Sequence, residues 1–118
     1  MDELNFFKQR VELTMPVRKF FRDRKSDPDK MLLIDVRNAT PGDMGSIISG
    51  AIHIPESEIR NRLSELPKDK TIIVYTWDDW CNLAAHAAIV LLENGFRVME
   101  LRGGIAACYT LNLPTEKL

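Results

Sequence analysis

The sequence predicts an α/β domain with a parallel sheet of about five strands and helices on both faces. Short β-branched apolar runs, Met31–Val36 and Ile72–Tyr75, are too brief for helices and suit strands buried on both sides. Ala- and Leu-rich segments with helical spacing fall between such runs. The alternation extends along the whole chain, which implies parallel pairing with right-handed crossovers. The stretch 71–96, TIIVYTWDDWCNLAAHAAIVLLENGF, holds one complete unit. Its strand is followed by a loop and then by a helix from about Cys81. Leu83, Ala87, Val90 and Leu91 share one helix face, and Gly95 stands where a helix-ending glycine belongs. Ligands in such folds sit outside the carboxyl ends of the strands, so the loop Thr76–Leu83 is the expected place for chemistry.

At 118 residues the chain fits one domain, 1–118, able to bury a core without metal or disulfide staples. Its net charge of -1 gives no electrostatic case for nucleic acid or an anionic membrane. No apolar run approaches the roughly 20 residues that span a bilayer, and the opening MDELNFFKQR lacks a signal peptide's pattern. The expected location is cytoplasmic. Two cysteines, Cys81 and Cys108, make neither a disulfide framework nor a zinc site, so reduced thiols and no metal are expected. No organic cofactor is indicated. A disulfide between the two cysteines stays open at this level.

Residues 1–30 read as an N-terminal strand and helix. Val11–Thr14 alternates apolar and polar as a short strand does, and Pro16 suits the first turn of a helix. Val17, Phe20 and Phe21 form that helix's apolar stripe among Arg18, Lys19, Arg22, Arg24 and Lys25, which read as a solvated basic face. Ser26–Asp29 ends it. Met31–Val36 is the second strand, with Asp35 and Arg37 at its carboxyl end. That pair either contacts substrate or fixes loops by pairing together or with the backbone. A polar loop, NATPGDMGS, leads to a short strand in GAIHIP, where His53 reads as a hydrogen-bonded residue at the core edge. Ser57, Ile59, Leu63 and Leu66 suit one short amphipathic helix stopped by Pro67. Arg97–Leu101 is the last strand, and Gly103 and Gly104 allow close backbone approach before a helix from Ile105 to about Leu111.

Taken in order, LLIDVR, GAIHIP, LPKDKTIIVY, NGFRV and LRGGI resemble the rhodanese family over nearly the whole chain from Met31 onward. The best-matching core is 31–118. The resemblance implies the rhodanese-like fold and transfer of a sulfane sulfur through a persulfide on a cysteine directly after the buried strand. The loop is similar to that of a subgroup reading YCWGPGCNGATRAA, with Tyr75, Trp77, Cys81, Asn82, Ala84, Ala87 and Ala88 in matching places. By the same resemblance, the nucleophile's position falls on Thr76. Asp78, Asp79 and Trp80 stand for the Gly, Pro and Gly; Ile47 stands for a histidine and Cys108 for a tryptophan.

A threonine hydroxyl cannot carry a persulfide, which leaves Cys81 as the candidate nucleophile beside a helix start that favours a thiolate. The segment Thr76–Ala88 holds no Lys or Arg, whereas Asp78 and Asp79 oppose a thiolate and repel a small anion. Three function classes follow. The first is sulfur transfer that is weakened or lost at Thr76 and retained in part through Cys81, with Asp35 and Arg37 shaping the pocket and an unidentified sulfur donor or acceptor. The second is a non-catalytic module that offers Trp77, Trp80 and the loop residues through Asn82 to a protein or small ligand. A purely structural reading of the loop stands beside these: Asp78 or Asp79 caps the helix, Cys81 is a small semi-buried residue and both tryptophans pack over the sheet. The third, a phosphatase or arsenate reductase, needs a cysteine opening the loop and an arginine closing it. Neither is present. His86, five residues beyond Cys81, is out of reach for a Cys–His pair on one helix, and Cys108 reads as a packing residue.

Overall fold

The computed structural model describes residues 2–118. In order, the elements are α1 (Glu3–Leu13), β1 (Thr14–Pro16), α2 (Val17–Ser26), β2 (Met31–Asp35), α3 (Pro41–Met44), β3 (Ser46–Ile48) and β4 (Ile52–His53). They continue with α4 (Glu56–Ile59), a single 3-10 turn (Leu63–Glu65), β5 (Thr71–Tyr75), α5 (Leu83–Glu93), β6 (Arg97–Arg102), α6 (Gly104–Leu111) and β7 (Thr115–Lys117).

Five strands pair in parallel in the order β1-β6-β5-β2-β4, with Leu32, Ile72 and Val98 in register across the middle. The pleat sends alternate residues of β5 to opposite faces. Ile72 and Val74 pack with Ala84, Ala87 and Leu91 of α5 and Ile59 of α4. Ile73 and Tyr75 pack with Val17 and Phe20 of α2 and Ile105 and Cys108 of α6. Both faces are therefore covered, as the continuous apolar runs require. The central strand ends between β2 and β6, which directs its loop into the crevice between their ends.

The amino-terminal strand begins later than Val11. Asp2 caps α1 by accepting the Asn5 N–H, and Phe7 and Val11 continue at helical spacing to Leu13. The strand is Thr14–Pro16, paired with Glu100–Arg102, and Met15 is its core residue. The expected helix from Ser57 to Leu66 is two separate turns. Its break falls at Arg62, whose backbone leaves the helical region and whose guanidinium forks onto Glu65 through two 3.0 Å bonds. The loop after Arg37 also contains a helical turn, α3, capped by Thr40 with Pro41 in the first position. It leads into an antiparallel ribbon of β3 with β7, which sequence patterning did not suggest. The basic face of α2 is not wholly solvated. Arg24 turns inward, donates to the Ser49 carbonyl at 2.5 Å and lies over the Phe20 and Phe21 rings. Gly50 (φ 84°) makes room, since a Cβ there would meet Arg24 Nη1 at 2.7 Å.

Candidate functional site

β2 and β5 end side by side, with Asp35 paired to Tyr75 and the Val36 N–H donating to the Tyr75 carbonyl at 3.0 Å. Thr76 is the first residue past β5 and is buried. Its hydroxyl lies 3.2 Å from the Cys81 sulfur, which is part exposed. The intervening loop holds its shape through Asp78, whose Oδ1 accepts the N–H groups of Trp80 at 3.0 Å and Cys81 at 3.1 Å. Asp79 reaches the other way and accepts the Gly103 N–H at 2.6 Å. Two further bonds tie the loop to α6, from Ile105 N–H to the Thr76 carbonyl (3.1 Å) and from Ala106 N–H to the Trp77 carbonyl (3.0 Å).

That tie explains the double glycine. At Gly104 (φ 59°) a Cβ would overlap the Thr76 carbonyl oxygen and come within 2.9 Å of the Trp77 carbonyl carbon. Only a bare backbone lets α6 approach the loop so closely.

Asp35 and Arg37 are both fully buried and form a forked ion pair, with Nε and Nη2 donating to the carboxylate at 2.6 to 3.0 Å. Arg37 Nη2 also donates to the Ser46 carbonyl at 2.7 Å. Among the described residues, Arg37 Nη1 finds no hydrogen-bond partner. The guanidinium carbon instead sits 4.5 Å from the centre of the Trp77 ring, so Trp77 roofs the buried cation. His53 Nε2 joins the Arg37 carbonyl at 2.8 Å, as a core-edge histidine should. Burial and the neighbouring Asp35 push the Tyr75 hydroxyl far above its ordinary value. Its oxygen accepts the Ile48 N–H at 3.0 Å. Among the described residues, no three His, Cys, Asp or Glu side chains gather as metal ligands.

A family model for the rhodanese-like domain matches residues 18–110. The chain belongs to the rhodanese-like family. A "Sulfurtransferase" from Allochromatium vinosum is 35% identical over 96 residues, which cover 77% of this chain and 83% of that protein. The crystal structure of a full-length protein from Lactobacillus plantarum superposes with a TM-score of 0.93 at 30% identity, covering 98% of this chain and 97% of that one. BH2092 from Bacillus halodurans superposes at 0.86, also 30% identical, covering 97% of this chain and 83% of that one.

Within this rhodanese-like fold, Thr76, Cys81 and Asp78 come together, while other candidates separate from them. Trp80 is 90% exposed and projects away from the sheet's end. Trp77 is 37% exposed and lies on Arg37, not over the sheet. Neither aspartate caps α5; its cap position is Asn82, exposed and without a side-chain cap bond. The two carboxylates satisfy loop and Gly103 N–H groups instead. With both side chains fully buried, Asp35 and Arg37 support the loop from beneath and offer no surface to a substrate. Cys81 and Cys108 are free thiols, and Cys108 is buried against α2. Burial pushes the Cys108 thiol up to about 11. The Trp77–Arg37 stack and the bond between Ser46 and Tyr109 carry no signal in the sequence, because each joins residues far apart in the chain.

Proposed function

We propose that this rhodanese-like domain has lost, or retains only weakly, sulfur transfer from thiosulfate, and that its remaining sulfane-sulfur chemistry runs through Cys81. The observation that carries the reading is the 3.2 Å separation of the Cys81 sulfur from the Thr76 hydroxyl, at the first residue beyond the central strand. Threonine cannot hold a sulfane sulfur, and Cys81 is the thiol within reach of that place. In the forward step the Cys81 thiolate attacks the outer sulfur of a persulfide donor. A new S–S bond forms, the donor's S–S bond breaks, and the donor thiolate leaves with the electron pair. An acceptor thiolate then attacks the outer sulfur and releases Cys81. The Thr76 hydroxyl can donate to the sulfur anion in either state.

Charge supports the loss of thiosulfate as donor. Asp78 already takes the Trp80 and Cys81 N–H groups, which removes them as donors to an incoming oxyanion. Its charge opposes a dianion by about 2 kcal/mol at 4 Å even in water, and Asp79 adds a further negative charge to the same loop. The test is mass spectrometry of the protein after exposure to thiosulfate and, separately, to an organic persulfide of low charge. Sulfur is expected on Cys81 from the persulfide, with little from thiosulfate and none in Cys81→Ser. Equal loading from thiosulfate, or loading that survives Cys81→Ser, overturns the reading.

A second reading, a non-catalytic binding module, is favoured by one observation: Trp80 projects 90% exposed from the tip of the same loop. Failure of Cys81 to load from any donor, together with ligand binding that Trp80→Ala abolishes, would select it.

A further inference from the structure

Helix α1 has no buried residue, yet five of its eleven residues are large and apolar. Leu4 is 65% exposed, Phe7 57% and Val11 78%, and they share one stripe at i, i+3 and i+7. Phe6 and Leu13 add a second exposed row. An isolated helix shorter than about 12–15 residues is marginal in water, so α1 needs a packing partner to persist. Its own chain supplies one only at the root. There Leu13 lines an apolar cavity of about 210 Å³ with Ala85, Ala88, Ile89, Leu92 and Val98. Ile89 and Leu92, on the outer face of α5, remain about half exposed.

The chain thus shows an apolar rod and, beside the rod's root, an apolar groove, each without cover. We propose that the occupant is a second copy of this chain. In a twofold pair, α1 of each copy lies across the outer face of α5 of the other, with Leu4, Phe7 and Val11 seated against Ile89 and Leu92. Such an arrangement is isologous, because one surface carries both halves of the contact. Connectivity argues against self-burial: α1 passes without a linker into β1, whose Thr14 is registered on Glu100, so its root is fixed at the groove's rim. The area is also sufficient. The five side chains of this contact, Leu4, Phe7, Val11, Ile89 and Leu92, would remove on the order of 1,100 Å² from water across both copies, above the roughly 1,000 Å² that a specific interface should clear.

Charge favours a protein partner over an anionic membrane. Lys8 and Arg10 of α1 are balanced by Glu3 and Glu12, so the helix has no basic face to hold it on anionic lipid. The groove contains Glu100, whose carboxyl is raised by burial and by nearby Asp79, and it would repel such a surface.

The experiment is sedimentation equilibrium of the full chain from low to high micromolar concentration, with Phe7→Glu and Ile89→Glu as variants on the two halves of the contact. A dimer is expected for the parent protein, with association weakened at least tenfold by either substitution. Both side chains are exposed in one copy, so unchanged thermal unfolding of a monomeric form is the check that folding is intact. In a Cys81→Ser background, Val11→Cys with Ile89→Cys should oxidise to a covalent dimer on a non-reducing gel. A parent protein that stays monomeric, a dimer indifferent to both charges, or α1-dependent binding to phosphatidylcholine–phosphatidylglycerol vesicles by a monomer overturns the proposal.

Discussion

Asp78 and Cys81 are joined by a 3.1 Å bond from the Cys81 N–H to the Asp78 carboxylate, so the loop carries its own anion next to its thiol. The same oxygen accepts the Trp80 N–H, and this pair of bonds turns the chain back from Trp77 toward α5. One side chain therefore shapes the loop and sets its charge. Anything that relieves the charge while keeping the acceptor separates those two roles.

Asp78→Asn makes that separation. Its amide oxygen can still accept both N–H groups, but the negative charge beside the sulfur is gone. A unit charge at about 4 Å is worth roughly 1 kcal/mol in water and more near protein, so alkylation of Cys81 by iodoacetamide at pH 7 should rise about fivefold or more. Peptide mass spectrometry measures it directly. Asp78→Ala, which also removes the acceptor, should loosen the loop and lower the unfolding midpoint.

Asp35→Asn tests the buried base of the site. It leaves the Arg37 guanidinium charged, fully buried and without its carboxylate, where one nitrogen already has no partner. Breaking one side of a buried pair costs about 3–5 kcal/mol. Urea denaturation should show a loss of that size, whereas Glu58→Gln, at a solvent-exposed pair with Arg62, should change stability by less than about 1 kcal/mol.

What the sequence revealed and what it hid divide along physical lines. The run Ile72–Tyr75 was legible because burial on both faces leaves an unbroken apolar string, and all four residues are fully buried. Gly95 was legible because a helix end needs positive φ, and its φ is 82°. Pairing of Asp35 with Arg37 was one of two open readings, and the structure contains that pair as a forked bond. The outward turn of Trp80 was hidden, since it depends on which carboxylate captures the loop N–H groups. The β3–β7 ribbon was hidden because it joins three-residue strands from distant parts of the chain. Val11 misled because alternation over four residues fits a strand as well as the last turn of α1.

Cys108 supplies a pH prediction. Burial raises its thiol from 9.0 to about 11, so the folded state keeps it neutral where the unfolded chain ionises. Its contribution to stability is complete below pH 9 and is lost as pH rises from there toward 11. Thermal unfolding across that range should show the decline, and Cys108→Ala should reduce it most between pH 9 and 10, the buried Tyr75 hydroxyl contributing a further decline above pH 10. At pH 8, iodoacetamide should label Cys81 in the native protein and reach Cys108 only after denaturation.

Gly104→Ala places a methyl group against the Thr76 carbonyl oxygen and the Trp77 carbonyl carbon, at a backbone φ of 59° that already disfavours a side chain. Both obstacles are main chain, so neither can swing aside. The expected cost is about 1–3 kcal/mol. Because the displaced atoms belong to the loop, any sulfur loading at Cys81 should fall further than stability alone would explain. Gly42→Ala, in an open turn, is the control expected to change neither.

The two tryptophans should behave as opposites. Trp77 roofs the Arg37 guanidinium at 4.5 Å, and its removal uncovers a buried cation to water on one side and forfeits a contact worth about 1–2 kcal/mol. Trp80 touches little and is 90% exposed, so Trp80→Ala should alter stability by less than about 0.5 kcal/mol. Denaturation of the two variants side by side checks the contrast. Since Trp80→Ala leaves the fold intact, any loss of ligand or acceptor binding it causes reports on the exposed loop tip itself. Trp77→Ala disturbs the Arg37 support beneath the loop, so its binding defects would be accompanied by a lower unfolding midpoint. An equal stability loss in both variants would mean that Trp80 packs against the protein in solution, and it would remove the case for Trp80 as a free contact surface.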